Sequence, residues 1–408
     1  LHTVDDFTPT GICKTLKSFA TLGIPPGESL IERLTTRAIY TVKDFGPAQI
    51  TCVLTSFAML GAKPKPQLSN LLMTRLTETV SQCTESNLAD VMWCVTTLKL
   101  RKDEMFLKTF EKKAIKVAAK FSHRELAVLL WSLAKSNVTH KNELVKVLVR
   151  ECLAKCDQFT PHEIADVTWS LATLEFHPDQ SCAFLAAVDR MLPKMVVADL
   201  INTAWAFGVL KLQPVPASFA TSFKKASQQV ESLSIHQLSI FLSSFRHLSV
   251  QPEEPLAFSI TKRIHQMRGD LSSSSLFDVI ESLSFLDFRP KSQVIIQLCQ
   301  TLIQVTGPCS CHELVVFSRS MANLGIHPLP AEIEEYFVKM IKLNLVRMNA
   351  DQASTVKWAT AKLQVKLSEQ QMQKLAEAGS SSRFRASTIA VAAASMVGLL
   401  NTVKQPEG

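Results

Sequence analysis

Residues 159–178 read FTPHEIADVTWSLATLEFHP, and this pattern decides the fold because it recurs along the whole chain. The marker of each repeat is defined here as the residue five positions after the leading Phe, which is Ile164 in this stretch. The markers are Ile12, Ile50, Leu88, Leu126, Ile164, Leu200, Leu238, Leu276, Leu314, Ala353 and Ile389. Successive markers are 36 to 39 residues apart, most often 38. A fixed period of this length is typical of stacked helical-repeat proteins.

Each repeat opens with the local signals of a helix start. In the stretch quoted above, Thr160 suits the N-cap, Pro161 suits the first helical position, and Glu163 completes a capping box. The apolar residue before the cap and the marker four positions after the cap form a hydrophobic staple. The caps predict helix starts near Thr8, Gly46, Thr84, Ser122, Thr160 and Ser310.

Further positions of the repeat carry small residues or helix stops. The position six residues after the marker is small in the first ten repeats, so a neighbouring helix is expected to approach closely there. These residues are Ser18, Ser56, Cys94, Ser132, Ser170, Ala206, Ser244, Ser282, Ser320 and Ala359. Gly23, Gly61 and Gly325 stand where a left-handed residue would end the first helix. A second amphipathic segment, such as residues 103–120, fills the rest of the period.

The predicted fold class is therefore all-α, an α-solenoid of about eleven helical hairpins of about 38 residues each. No segment alternates with the period of two that indicates a strand. We expect one continuous solenoid over residues 1–378, with repeats starting near residues 7, 45, 83, 121, 159, 195, 233, 271, 309 and 348. Residues 379–408 are expected to form a short linker and a C-terminal capping helix, whose apolar run is too short to span a membrane.

Composition sets weak limits on function. The net charge of +8 permits an anionic partner without requiring one. The ten cysteines suit a reducing compartment. Cys309, Cys311 and His312 resemble half of a metal site, but no second ligand pair follows at a usable distance. Phosphate-binding loops and nucleophile motifs are also absent from the sequence, so we expect no catalytic residues, no metal and no cofactor.

The repeat core resembles a known family. Residues 126–134 (LAVLLWSLA), 164–172 (IADVTWSLA) and, in part, 88–93 (LADVMW) are similar to the octotricopeptide repeat and to the related heptatricopeptide and RAP-associated helical repeats. The resemblance implies a right-handed superhelix that binds organellar RNA in mitochondria or, alternatively, in plastids. It implies roles in RNA maturation, stability, translation or ribosome assembly. The sequence shows no RAP domain, so we expect no enzymatic activity.

Three variable positions of each first helix are candidates for RNA contact. They lie two, five and nine residues after the marker (the +2, +5 and +9 positions) and share one helix face by the i, i+3, i+4 rule. All five tryptophans occupy the +5 position. The predicted RNA-binding residues on this face are Lys14, Lys17, Asp90, Trp93, Trp131, Lys135, Asp166, Trp169, Asn202, Trp205, Arg319, Asn323, Trp358 and Lys362. The most basic segment of the chain is residues 101–120, and Lys112, Lys113 and Lys116 of this basic segment are added as predicted phosphate contacts.

Each of these assignments has an alternative. The tryptophans either stack on RNA bases or pack against the adjacent hairpin. The basic segment is either a phosphate track or an ordinary solvated helix face. The chain as a whole is predicted to be a non-catalytic RNA-binding protein of the mitochondrion that holds transcripts or ribosomal RNA. The expected setting is that of a subunit or assembly factor of the mitochondrial ribosome, together with other proteins. The alternative is a protein–protein scaffold subunit of a large organellar complex.

Overall fold

A computed structural model describes residues 4–136, 142–178, 182–213, 215–286 and 290–380, and these are helical with no strand among them. The all-α prediction is confirmed. The α-helices of the described residues are α1 (Pro9–Leu22), α2 (Glu28–Tyr40), α3 (Pro47–Met59), α4 (Pro66–Thr79), α5 (Glu85–Thr97), α6 (Glu104–Val117), α7 (His123–Lys135), α8 (Glu143–Ala154), α9 (Pro161–Thr173), α10 (Cys182–Met191), α11 (Val197–Leu210), α12 (Ser218–Ser227), α13 (Ile235–Leu248), α14 (Glu254–Gln266), α15 (Ser273–Phe285), α16 (Ser292–Val305), α17 (Cys311–Leu324), α18 (Ala331–Asn344), α19 (Ala350–Lys362) and α20 (Glu369–Ser380).

The helix starts lie where the caps predict them. The N-cap residues of α1, α3, α5, α7, α9 and α17 are Thr8, Gly46, Thr84, Ser122, Thr160 and Ser310. In α9 the Thr160 hydroxyl accepts the Glu163 amide, and the Glu163 carboxylate accepts the Thr160 amide at 2.8 Å. This reciprocal pair satisfies two amides that a helix start otherwise leaves without partners.

First helices end on a left-handed residue in more repeats than the glycines indicate. Gly23, Gly61 and Gly325 have φ of 66°, 63° and 67°, as predicted. The equivalent position also has positive φ where no glycine stands, at Lys99, Glu175, Lys211, Ser249 and Gln364. A side chain in this conformation is strained by contact of its Cβ with the backbone. The packing of the repeat therefore imposes the turn even without glycine.

A short 3-10 turn precedes α1, and seven more link the second helices α2, α4, α6, α8, α10, α12 and α14 to the first helix that follows each of them. They span Val4–Asp6, Val42–Asp44, Val80–Gln82, Ala118–Lys120, Cys156–Gln158, Leu192–Lys194, Val230–Ser232 and Arg268–Asp270. Basic side chains of the second helices hold the segment after such turns. Arg37 Nε donates to the Phe7 carbonyl at 2.8 Å, Arg75 Nε to the Phe45 carbonyl at 3.1 Å, and Lys155 Nζ to the Phe121 carbonyl at 2.6 Å.

The chain divides into two compact units, Leu1–Gln251 and Pro252–Gly408. In the first unit the first helices α1, α3, α5, α7, α9, α11 and α13 pack each against the next, and α2, α4, α6 and α8 form a second layer. In the second unit α15, α17 and α19 pack in the same way, with α14, α16 and α18 as the second layer and α20 against α19. The handedness, the number of repeats and the continuity of the solenoid remain predictions.

Small residues allow consecutive first helices to approach closely. The predicted small position is buried in nine of the ten repeats, and only Ser18 of the first repeat is exposed. The Ser132 and Ser170 hydroxyls donate to carbonyls one turn earlier in their own helices, at 2.7 and 2.6 Å, so burial leaves them partnered. Sequence reasoning missed a second close approach, at Gly208. A Cβ built there would lie 2.4 Å from the His247 Cβ.

The C-terminal region is described only in part. Helix α20 continues to Ser380, so it includes the first two residues of the predicted linker. The predicted capping helix lies in residues 381–408, outside the described residues. Within the described part of the chain, none of the helices combines the length and apolarity needed to span a membrane.

Replacing Ser170 by Leu is expected to destabilise the protein by about 1–3 kcal/mol, because a larger side chain overpacks the fully buried contact between first helices. Urea denaturation followed by circular dichroism measures this change. Ser18→Leu is the matched control, since Ser18 occupies the same repeat position but is exposed. Equal stability of the two variants would contradict close packing at this position.

Candidate functional site

The +2, +5 and +9 positions form an accessible face of the first helices. Trp93, Trp131, Trp169 and Trp205 are half-buried, and Trp358 is 45% exposed. Among the +9 residues, Lys135, Asn323 and Lys362 are exposed. The predicted residues Lys14, Lys17 and Arg319 are also exposed, and Asn202 is half-buried. Ser243 at +5 and Val316 at +2 are buried exceptions. The tryptophans thus lie at the surface of each unit and not in its deep core.

Lys135 joins the tryptophans of two adjacent repeats. Its ammonium lies 5.8 Å from the centroid of the Trp131 ring, on its own helix α7, and 4.7 Å from the Trp169 ring on α9. Such contacts attract the cation to the electron-rich ring face. Lys362 lies 5.1 Å from Trp358 in the second unit. The aromatic rings and the lysines of this face are therefore interleaved.

A cleft of about 510 Å³ opens beside Trp131 and Lys135, where α5 and α7 end. Lys99, Lys102 and Thr97 also line it. Partial burial lowers the pKa of Lys102. Among the described residues, none of the three lysines has a carboxylate within ion-pair distance. The negative ends of the two helix dipoles favour positive charge here.

Lys99 was missed by sequence reasoning, and Lys102 was included only as one of the residues of the basic segment. Both follow the end of α5, outside the helix face that the three repeat positions define. Lys99 occupies the left-handed position, where its φ is 53°. The only signal in the sequence was the cluster of positive residues at the start of the basic segment. The cluster alone does not show that Lys99 and Lys102 lie beside Trp131 of the next repeat.

Both predicted aspartates interact with charged side chains of the protein itself. His162 bridges Asp166, at 3.6 Å, and Asp199 of the next repeat, at 3.0 Å. Burial raises the pKa of Asp166 to about 6, with Asp199 and Glu163 adding to the rise and His162 opposing it. Burial also raises the pKa of Asp90, which Arg124 opposes. The Asp166 carboxylate therefore belongs to a network that links α9 to the start of α11, and Asp90 interacts with the charge of Arg124 on α7.

The predicted lysines of the basic segment lie on the second helix α6 and not on the face that carries the tryptophans. Lys112 and Lys116 are exposed. Lys113 Nζ donates to the Ser81 carbonyl at 2.8 Å, so this side chain supports the turn before α5. In the second unit, Arg319 forms an ion pair of 2.6 Å with Glu281. The predicted site residues are thus divided between the two helix layers.

The possible half metal site is occupied by protein contacts. The Cys311 thiol lies 3.2 Å from the Asn344 side-chain oxygen, and Cys309 is buried against Met340. Within the described ranges, no group of three or more His, Cys, Asp and Glu side chains is arranged to hold a metal ion.

Comparison with known proteins relates only the N-terminal part of the chain to a family. The family model described as RNA-editing substrate-binding complex 6 protein matches residues 1–180. This match covers less than half of the chain, and it includes Trp93, Trp131, Lys135 and Trp169. No curated protein matches the chain.

Replacing Asp166 by Asn is expected to change how stability depends on pH. A carboxyl whose pKa is higher in the folded than in the unfolded chain favours folding below pH 4, and this contribution is lost as the pH rises through about 6. The stability of the variant relative to the parent should therefore rise by about 1–3 kcal/mol between pH 4 and pH 7.5.

Urea denaturation at a series of pH values tests this expectation. Glu104→Gln is the control, because Glu104 is an exposed carboxylate that pairs with Lys108 on the surface of α6. If the free energy of unfolding changes with pH equally in the parent and in Asp166→Asn, then the pKa of Asp166 is not raised in the folded protein.

Proposed function

We propose that this chain is a non-catalytic helical-repeat protein that binds single-stranded RNA along the exposed face of its first helices. The observation that carries the proposal is the position of Lys135 between Trp131 and Trp169, beside the cleft lined by Lys99 and Lys102. This arrangement lies within the residues similar to the RNA-editing substrate-binding complex 6 family. The family description itself supports association with RNA and with other proteins of a complex.

The chemistry of the face suits RNA without requiring a fixed sequence. A half-exposed indole offers a surface on which any base can stack, and each such stack contributes roughly 1–3 kcal/mol to binding. Lysines without carboxylate partners can contact phosphates and release counterions. In the RNA-bound state Lys135 would exchange one of its two ring contacts for a phosphate, while the neighbouring base covers the freed indole.

The finer assignments are also proposals. The repeat core supports kinship with octotricopeptide-type repeats, and that resemblance supports a mitochondrial location, with a plastid as the alternative. The matched family is described as part of an RNA-editing complex, which favours a role on transcripts over one on ribosomal RNA. A place in the mitochondrial ribosome has no support from the comparison.

A protein-binding scaffold is the second candidate function. The acidic groups on the same face favour it, since Asp90 and Asp166 are partly accessible and Glu281 pairs with Arg319. A mixed-charge face of this kind suits a protein surface with complementary charges.

The Trp131→Ala, Trp169→Ala double variant is expected to bind single-stranded RNA at least tenfold more weakly than the parent, because two stacking surfaces are lost. Lys135→Gln is expected to weaken binding and to reduce the slope of log K against log salt by about one, as for a single phosphate contact. Fluorescence anisotropy with a labelled RNA pool at several salt concentrations measures both effects.

Matched controls separate this face from the second helices. Tyr40→Ala removes an exposed aromatic ring of α2, and Lys262→Gln removes an exposed lysine of the second helix α14 that was not among the predicted RNA contacts. Circular dichroism establishes that each variant is folded. Unchanged RNA affinity in a folded double variant would refute the tryptophan surface, and no RNA binding by the parent would favour the scaffold.

A further inference from the structure

Two cysteines of adjacent repeats lie at the packing contact between α1 and α3. The buried Cys13 thiol donates to the Gln49 carbonyl at 3.3 Å. The half-exposed Cys52 sulfur lies 3.7 Å from the carbonyl oxygen of Cys13. The Cys52 sulfur therefore rests against the backbone of residue 13, which places the two cysteines next to each other in neighbouring helices.

We propose that Cys13 and Cys52 form a peroxide-reactive thiol pair, which closes a reversible disulfide between the first two repeats. Cys52 is half-exposed, whereas Cys13 is buried. An accessible thiol next to a second cysteine is typical of sites of reversible thiol oxidation. The pair is independent of RNA binding, because its chemistry needs only these side chains and an oxidant.

The surroundings assign different roles to the two thiols. A hydrogen bond from Cys13 lowers the pKa of Cys52 to about 7, and Lys17 and Ser56 lower it further against the effect of burial. The hydrogen bond with Cys52 and burial raise the pKa of Cys13 above its ordinary value. When Cys52 ionises, the Cys13 S–H can turn from the Gln49 carbonyl to the Cys52 thiolate. Cys52 is therefore the attacking thiol and Cys13 the resolving one.

The reaction balances with hydrogen peroxide as the oxidant. The Cys52 thiolate attacks one peroxide oxygen, an S–O bond forms, the O–O bond breaks, and hydroxide leaves as water after protonation. The resulting Cys52 sulfenic acid is attacked by the Cys13 sulfur, which loses its proton, and the S–O bond breaks to release a second water. Two thiols are oxidised by two electrons, and one peroxide is reduced to two waters. A dithiol reductant reverses the step by exchange.

Other cysteines of the first unit serve as internal references. Burial raises the pKa of Cys83 to about 11 and that of Cys94 to about 12. Burial also raises the pKa of Cys152. These thiols are protonated near neutral pH and closed to solvent, so peroxide is expected to leave them reduced.

Oxidation of the two cysteines would change the helix face formed by the +2, +5 and +9 positions. Cys52 is the +2 residue of the second repeat, and Lys17 is the +5 residue of the first. Disulfide formation replaces a thiolate beside Lys17 by a neutral group and ties α1 to α3. The first two repeats then carry more positive charge and are held together covalently.

To test the proposal, the folded, reduced protein is treated with a small excess of hydrogen peroxide at about pH 7, and the remaining free thiols are blocked with N-ethylmaleimide. The peptides are then mapped by mass spectrometry under non-reducing conditions. The expected product is a peptide pair linked through Cys13 and Cys52, which disappears on treatment with dithiothreitol. Recovery of Cys52 as a free thiol, as a sulfinic acid beside free Cys13, or linked to another cysteine would overturn the proposal.

Two substitutions of Cys13 separate the hydrogen bond from the disulfide. Cys13→Ser retains a donor, so N-ethylmaleimide labelling of Cys52 should keep a pH midpoint near 7 while the disulfide is lost. Cys13→Ala removes the donor as well, and the labelling midpoint should rise. Identical labelling profiles in the parent, Cys13→Ser and Cys13→Ala would show that Cys13 does not activate Cys52, which contradicts the assigned roles.

Discussion

The close approach of consecutive first helices is the constraint on which the structure of the first unit depends. It is visible where α11 meets α13, since any Cβ at Gly208 would overlap the backbone of residues 247 and 248. Elsewhere the buried serines serve the same purpose, because their hydroxyls return to their own helix and need no partner across the contact. A slightly wider spacing would open cavities along the whole row of markers, which are fully or almost fully buried from Ile12 to Leu238.

The same approach brings side chains of neighbouring repeats together on the accessible face. Lys135 reaches the ring of Trp169 because α7 and α9 pack directly against each other. His162 reaches Asp199 across the next contact, between α9 and α11. The face is therefore a set of side-chain pairs between repeats. A change in one repeat alters the charge and shape that its neighbour presents.

The features predicted correctly from the sequence are those that depend on residues within a single repeat. The N-caps were found at the correct residues because a cap and its partner lie three positions apart, and the small position was found because it recurs. The left-handed turns at Lys99 and Glu175 could not be found, since nothing local distinguishes them and packing imposes them. Neither the Lys113 contact with Ser81 nor the burial of Asp166 could be predicted, because both depend on how one repeat sits on another.

The capping boxes have a consequence for how the chain folds. Most first helices carry their own start signal, α11 with Val196 at its N-cap being an exception. The hydrogen bonds between repeats join residues close in sequence, such as Lys155 with Phe121 and His123 with Glu163, 34 and 40 positions apart. Contacts between residues this close in sequence close only small loops of the chain, which lowers the entropic barrier to folding. Helix formation in the first unit can then begin at any well-capped hairpin and spread to its neighbours. Partial opening would follow the same boundaries, so transient unfolding would expose the chain one hairpin at a time.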